Sequence, residues 1–278
     1  MKILIVGLGV IGGGYAMALK EAGYSEVYGI DTNEETLKKA KEMKIIKEGF
    51  TREDEIISEM DLIVLAIYPN LVKNFIVKNK NKFKENALIT DVTGIKQLFI
   101  NDIVEILPQN IDFVFAHPMA GRENKGIDYA TNKVFQGANF LIVETKKNKE
   151  ENIRQIENLA KEMGFKHIKR TTPAFHDEMI AFTSQLPHVL AVALTNSDIE
   201  NRNTGEFIGD SYRDLTRIAN MNEKLWSLLF LGNKKNLLEA MNNFEAEFDK
   251  IKKCIEENDE KNLQKLFIKS TIRREQLY

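Results

Sequence analysis

Short, wholly apolar runs alternate with helical patterns along the first half of the chain. Runs at residues 2–6, 26–30, 62–67, 87–90, 113–116, 139–143 and 167–170 predict β-strands. Amphipathic helices, such as 34–43 and 151–163, are expected between several of them. Strands apolar on both faces and separated by helices imply a mostly parallel sheet covered on both sides. The last run, His167-Ile168-Lys169-Arg170, is polar and gives the weakest strand signal.

Beyond about Thr171 the strand pattern stops. Residues 177–194 predict a long helix with Pro187 inside it, and 223–231, 234–257 and 261–274 predict further helices. Leu237, Met241, Phe244, Phe248, Ile251 and Ile255 recur at helical spacing and form an apolar stripe. The expected architecture is an α/β domain over residues 1–170, a doubly wound, mostly parallel sheet, followed by an all-helical domain over 171–278. The stripe-bearing helices can pack on each other or on a second subunit, so a homodimer through the C-terminal helices is expected.

The 278 residues are 43% hydrophobic, enough for one large core or two modest ones. A net charge of −2 gives no electrostatic case for a nucleic-acid or membrane partner. The single cysteine, Cys254, excludes an intramolecular disulfide and a cysteine-based zinc site; no metal is expected, and a reducing, cytoplasmic setting is. Met1-Lys2 runs straight into Ile3-Leu4-Ile5-Val6 and then glycine, so no secretory leader is expected. No apolar stretch is long enough to span a bilayer.

Gly7-Leu8-Gly9-Val10-Ile11-Gly12 follows the first predicted strand and opens a predicted helix. There Gly7 permits a tight turn, Gly9 lets backbone approach a pyrophosphate, and Gly12 allows close packing of helix on strand. Asp31 ends the second strand, where a carboxylate grips ribose hydroxyls and repels a 2′-phosphate. The N-terminal domain therefore reads as a Rossmann-type unit for NAD rather than NADP. Tyr68-Pro69 and Thr90-Asp91-Val92-Thr93-Gly94 fall at the carboxyl ends of later strands, where ligands bind such sheets. Tyr68 and Pro69 either flank the nicotinamide or form an ordinary strand-to-loop turn.

His117 ends an apolar strand and precedes Pro118, at the same edge of the sheet. A histidine there can take a proton from a substrate hydroxyl while hydride leaves the carbon; the alternative is a structural histidine bonded to backbone. His167 and His176 stand in polar contexts and are expected to be solvated. Pro187 inside Ser184-Gln185-Leu186-Pro187-His188 kinks the helix, aiming Ser184 and His188 into a cleft or simply bending a core helix. Asp214 and Arg217 share a helical face, so Asp214 can hold a guanidinium that grips a carboxylate, or the two form a surface pair. Trp226 reaches the side of Arg217 only if a turn intervenes, and Asn220-Met221-Asn222 can supply it.

The ordered set resembles the prephenate dehydrogenase family over nearly the whole chain. It comprises the glycine fingerprint, His117-Pro118-Met119-Ala120-Gly121-Arg122-Glu123, Thr183-Ser184-Gln185-Leu186-Pro187-His188, Tyr212-Arg213-Asp214-Leu215-Thr216-Arg217-Ile218-Ala219 and Trp226. The resemblance implies NAD-dependent oxidative decarboxylation of prephenate to 4-hydroxyphenylpyruvate. It implies that His117 accepts the C4-hydroxyl proton and Arg217 binds the ring carboxylate. It places His188 and Trp226 near the pyruvyl side chain, has Glu123 order the site, and has Asp214 position the active-site helix.

Two positions depart from the family pattern. A serine that commonly bonds the catalytic histidine is absent, Thr93 preceding Gly94 in that segment, and Thr93 is expected to substitute. Gln185 stands where a histidine is common. Neither a chorismate mutase domain nor a regulatory ACT domain is expected within these 278 residues. The nearest rival is an arogenate or dual-specificity cyclohexadienyl dehydrogenase. A β-hydroxyacid dehydrogenase would need a catalytic lysine, and Lys224 and Lys234 lie in no such motif. A silent NAD-sensing module would bind NAD without turnover.

Overall fold

The computed structural model describes residues 1–53, 56–121 and 124–277. They form two compact units, Met1–Asn233 and Lys234–Tyr278.

The first unit is built on a sheet whose strands are β1 (Ile3–Val6), β2 (Val27–Ile30), β3 (Glu48–Phe50), β4 (Leu62–Leu65), β5 (Leu88–Asp91), β6 (Asp112–Pro118), β7 (Asn139–Val143) and β8 (His167–Thr171). Their spatial order is β3-β2-β1-β4-β5-β6-β7-β8. Pairing is parallel except between β6 and β7, where Ala116 faces Ile142 and His117 faces Leu141 in antiparallel register. Along β1, Ile3 and Ile5 pack into one apolar cluster while Leu4 and Val6 pack into another on the opposite face. Burial on both faces explains why the central strands read as unbroken apolar runs. β3 is a three-residue, half-buried edge strand, too short to show as a run, and it is absent from the predicted set. β8 is the other edge, and solvent on one side accounts for its polar sequence.

The helices of this unit are α1 (Val10–Glu21), α2 (Glu34–Glu42), α3 (Pro69–Asn79), α4 (Ile100–Ile106), α5 (Glu150–Glu162), α6 (Pro173–Ile180), α7 (Leu186–Asn196), α8 (Asp210–Thr216) and α9 (Glu223–Gly232). The long helix predicted at 177–194 starts earlier, at Pro173, with Thr172 accepting from the Phe175 N–H as its cap. It is then interrupted: a π-turn, Ala181–Gln185, separates α6 from α7. Pro187 sits in the first turn of α7, where its missing N–H is tolerated, so the irregularity lies before the proline.

The second unit is a pair of helices, α10 (Lys234–Glu256) and α11 (Glu260–Leu277), packed on one another. Asn258 turns the chain between them with φ +53°. The sequence pattern divides the chain near Thr171, whereas the first compact unit runs on to Asn233. Hydrogen bonds from the loop after β5 to Asp177 hold α6 within it.

Candidate active site

The crevice begins at the turn between β1 and α1. Gly7 has φ +90°, which favours glycine, and a Cβ there would lie 2.5 Å from the Ala66 carbonyl oxygen. A Cβ on Gly12 would come 1.8 Å from the Gly7 carbonyl oxygen, so helix and turn touch backbone to backbone. Over Gly9 no heavy atom lies within 4 Å of a Cβ position, leaving open space where a pyrophosphate approaches. The N–H groups of Val10 and Ile11, in the first turn of α1, have no intrahelical acceptor by position and sit at the positive helix end. Asp31, just past β2, accepts from the Leu8 N–H at 2.9 Å and from the Asn33 N–H at 2.9 Å. It therefore locks the glycine turn and places a carboxylate at the ribose end. The cradle fits a dinucleotide with an unphosphorylated ribose. Tyr68 caps α3, Pro69 starts it, and the Tyr68 hydroxyl accepts from Asn222 Nδ2 at 3.1 Å.

His117, next to the end of β6, is half-buried and keeps an edge open to solvent. Its Nδ1 lies 3.0 Å from His176 Nε2, and His176 Nδ1 lies 2.7 Å from Asp177 Oδ1. Asp177 also accepts from the Lys96 N–H at 2.9 Å and the Gln97 N–H at 2.8 Å. The acceptor at the far end orders the tautomers. His176 donates from Nδ1 to the carboxylate, so its Nε2 accepts from His117 Nδ1, and the lone pair of His117 falls on Nε2. Burial, then the neighbouring His176 and Lys96, holds His117 well below the ordinary histidine range. Burial also lowers His176, opposed by its bond to Asp177. Both imidazoles are thus neutral near pH 7.

Beneath this pair lies a buried ion pair. Lys96 Nζ donates to Asp91 Oδ2 at 2.5 Å, to the Ala116 carbonyl at 2.6 Å and to the Thr93 carbonyl at 3.0 Å. Asp91 Oδ1 accepts from the Ala116 N–H at 3.1 Å. Lys96 and Asp91 thereby clamp β5 to β6 one residue before His117. Burial pulls the Lys96 ammonium below its usual range, opposed by Asp91.

The histidine-to-carboxylate chain corrects two expectations. His176 is not solvated: it is 1% exposed and is the direct partner of His117. Thr93 does not substitute for the family serine. Its hydroxyl donates to Asp91, lies 3.1 Å from the Ile95 carbonyl and accepts from Lys96 Nζ at 3.1 Å, drawn down by the carboxylate and ammonium below it. The nearest backbone to the other side of the ring is Gly94, where a Cβ would lie 3.6 Å from His117 Nε2.

The helical side of the first unit is shaped by the π-turn. His188 Nδ1 donates to the Ser184 carbonyl at 2.8 Å, and the His188 ring stacks on Trp226 with centroids 3.7 Å apart. Gln185 is buried, its Nε2 donating to the Leu229 carbonyl at 2.9 Å and its Oε1 accepting from Asn233 Nδ2 at 2.9 Å. It ties the π-turn to α9. A turn does separate Arg217 from Trp226: a 3-10 segment, Arg217–Ala219, is followed by Asn222, whose side chain caps α9. The Arg217 turn packs on α7.

Asp214 and Arg217 are both exposed, but among the described residues no ion pair or hydrogen bond joins them. On α8 it is Arg213 that pairs, with Asp210 at 2.6 Å. The regular helix ends at Thr216, so the face that would align Asp214 with Arg217 is broken there. Glu123 lies outside the described residues.

His176 and Asp177, which the structure brings against His117, are not singled out as site residues by the sequence. A usable signal existed: they stand one helical turn before buried Ile180 and Ala181, on the face that packs inward.

The comparisons with known proteins agree across the chain. A family model described as prephenate dehydrogenase, nucleotide-binding domain, matches residues 15–169, and one described as prephenate dehydrogenase, dimerization domain, matches 172–269. The prephenate dehydrogenase of Bacillus subtilis is 29% identical over 274 residues, covering 95% of this chain and 73% of that protein. The cyclohexadienyl dehydrogenase of Zymomonas mobilis is 27% identical over 263 residues, covering 92% and 89%. The crystal structure of prephenate dehydrogenase from Aquifex aeolicus, in complex with hydroxyphenyl propionate and NAD+, superposes with a TM-score of 0.91 at 28% identity, covering 100% of this chain and 99% of that one. With both family models matched over nearly the whole chain, the chain belongs to the prephenate dehydrogenase family.

Proposed function

We propose that the chain performs NAD-dependent oxidative decarboxylation of prephenate to 4-hydroxyphenylpyruvate, with His117 as base and Arg217 as anchor of the ring carboxylate. The observation that carries the assignment of the base is the order of tautomers. It leaves a neutral Nε2 lone pair on His117 at the sheet edge that also carries the glycine cradle.

The chemistry balances on these groups. His117 Nε2 takes the proton of the C4 hydroxyl as the C4–H bond breaks. Bound NAD supplies the acceptor for the hydride and its electron pair. The electrons of the bond to the ring carboxylate enter the ring and reach the C4 oxygen, which takes back the proton from His117 Nε2; CO2 leaves, and aromatisation makes the step downhill. What remains for the protein is alignment of hydroxyl, base and carboxylate. Gly7, Gly9, Val10, Ile11, Gly12 and Asp31 hold the dinucleotide, with Tyr68 and Pro69 at its nicotinamide end. His188, stacked on Trp226, together with Ser184, faces the pyruvyl end. Asp214 and Glu123 order the anion end.

A second reading, dual specificity for prephenate and arogenate, is favoured by the similarity to the Zymomonas mobilis cyclohexadienyl dehydrogenase. We further propose a functional boundary at 170/171, supported by family models that end at 169 and resume at 172. The enzyme is proposed to be a cytoplasmic homodimer joined through α10 and α11. The dimerization-domain match and exposed Phe248, Ile255, Phe267 and Ile268 support that interface.

The deciding experiment follows NADH absorbance with purified protein and NAD, offering prephenate and arogenate separately. Turnover with prephenate is expected. Turnover with arogenate alone would change the substrate, and NAD binding without turnover on either would overturn the assignment.

A further inference from the structure

Resting on the reading of His117 as base, we propose that His176 and Asp177 are positioning residues that set the His117 tautomer and share the charge it acquires. Neither residue of the loop after β5 that lies nearest the ring orients it. Gly94 offers no side chain to Nε2, and the Thr93 hydroxyl is committed to Asp91 and the Ile95 carbonyl. Among the described residues, the orienting contact on His117 is therefore the 3.0 Å bond from Nδ1 to His176.

His176 is itself held with little freedom. It is 1% exposed, its Nδ1 is bonded to Asp177 at 2.7 Å, and the Asp177 carboxylate is fixed by the backbone N–H groups of Lys96 and Gln97. Asn233 Nδ2 also donates to the Asp177 main-chain carbonyl at 2.7 Å, anchoring that turn of α6 to the end of α9. A carboxylate accepts only, so each ring in the series has one allowed direction. Reversing it would put a proton on His117 Nε2, where the base must have none.

The same series handles charge. An imidazolium at His117 would stand near the Lys96 ammonium in a poorly solvated site. When Nε2 takes the hydroxyl proton, the Nδ1 proton can pass to His176 Nε2, while His176 keeps its own Nδ1 proton on Asp177. The cation then sits beside a carboxylate, and as CO2 leaves the proton returns to His117 Nδ1 while Nε2 gives its own to the C4 oxygen, which becomes the phenolic hydroxyl of the product. The charged groups facing this pair are Asp177 from α6, Lys96 from the loop after β5, and Asp91 from β5 behind Lys96.

The test uses the full-length protein with His176→Leu, His176→Gln, Asp177→Asn and, as control, His117→Gln. Turnover, KM, melting temperature and histidine 15N spectra are measured for each. We expect His176→Leu to lower kcat about a hundredfold with KM for either substrate changed less than about threefold, the size of a lost acid–base arrangement. Glutamine, which returns an acceptor to Nδ1 but cannot carry the proton, should recover about tenfold. In the spectra His117 should be protonated on Nδ1 in the wild type and on Nε2 in Asp177→Asn.

Wild-type kcat in both His176 variants, equal losses in leucine and glutamine, or losses confined to KM and melting temperature would each overturn the proposal. Should His176→Leu not fold, the glutamine variant and the wild-type spectrum decide, and a His117 protonated on Nε2 in the wild type refutes it. Retained turnover in His117→Gln would instead remove the base assignment. An inactive His117→Gln beside fully active His176 variants would remove the positioning role alone.

Discussion

The His188 imidazole lies over the Trp226 indole with centroids 3.7 Å apart and planes 30° apart. Neither residue could reach the other along a continuous helix; the turn through Asn222 brings α9 back toward α7. The stack fixes the ring whose Nδ1 is bonded to the Ser184 carbonyl, so His188 presents its other nitrogen in one orientation. Trp226→Ala should raise KM for the substrate more than it lowers kcat. Loss of the stack should cost about 1 kcal/mol of stability beyond the buried area removed. Steady-state kinetics beside urea denaturation would separate the two effects, and unchanged KM would place Trp226 outside the substrate pocket.

Lys96 and Asp91 are both fully buried and clamp the two strands that carry the site. Removing one partner strands the other charge in the interior. Lys96→Met should therefore cost about 3–5 kcal/mol in unfolding free energy, measured by urea denaturation. A loss below about 1 kcal/mol would mean that solvent reaches the pair.

Arg217 is exposed at the start of its turn and is proposed to hold a carboxylate. Exchange for glutamine removes a charge-assisted contact of about 1.5–3 kcal/mol, so Arg217→Gln should raise KM for the substrate roughly ten- to a hundredfold with kcat reduced less. Unaltered kinetics would leave Arg217 as a surface group.

The two central histidines also predict how stability depends on pH. Burial holds His117 and His176 below the ordinary histidine value in the folded protein. Between about pH 6.5 and those lowered values the unfolded chain binds protons that the folded chain refuses, so stability falls as pH falls. It is fully present above about pH 6.5, where both states hold neutral rings. Urea titrations from about pH 8 to about pH 5 should show this acid limb, and exchanging both histidines for glutamine should flatten it. A limb unchanged by the double exchange would assign it to other groups.

Much of this was legible in the sequence because the physics is local. Gly7 and Gly12 are demanded by backbone contacts that any side chain would break, and Asp31 by the turn it caps. The central strands were legible because burial on both faces leaves them wholly apolar. β3 was not, since three half-buried residues at an edge make no pattern. Nor was the partnership of His117 with His176, which depends on how α6 crosses the end of β6 and on the long-range bonds to Asp177. Thr93 misled for a related reason: its hydroxyl is claimed by a buried ion pair whose two members look unremarkable in the sequence.

Asn222 links two things that the sequence keeps far apart. Its side-chain oxygen accepts from the Leu225 N–H at 3.2 Å to cap α9, while its amide nitrogen donates to the Tyr68 hydroxyl at 3.1 Å. Both bonds belong to one rigid amide plane. The amide therefore ties the start of α3 directly to the first turn of α9, the turn that carries Trp226. One side chain thus serves two elements at once, so exchanging Asn222 removes both the cap of α9 and its tether to α3.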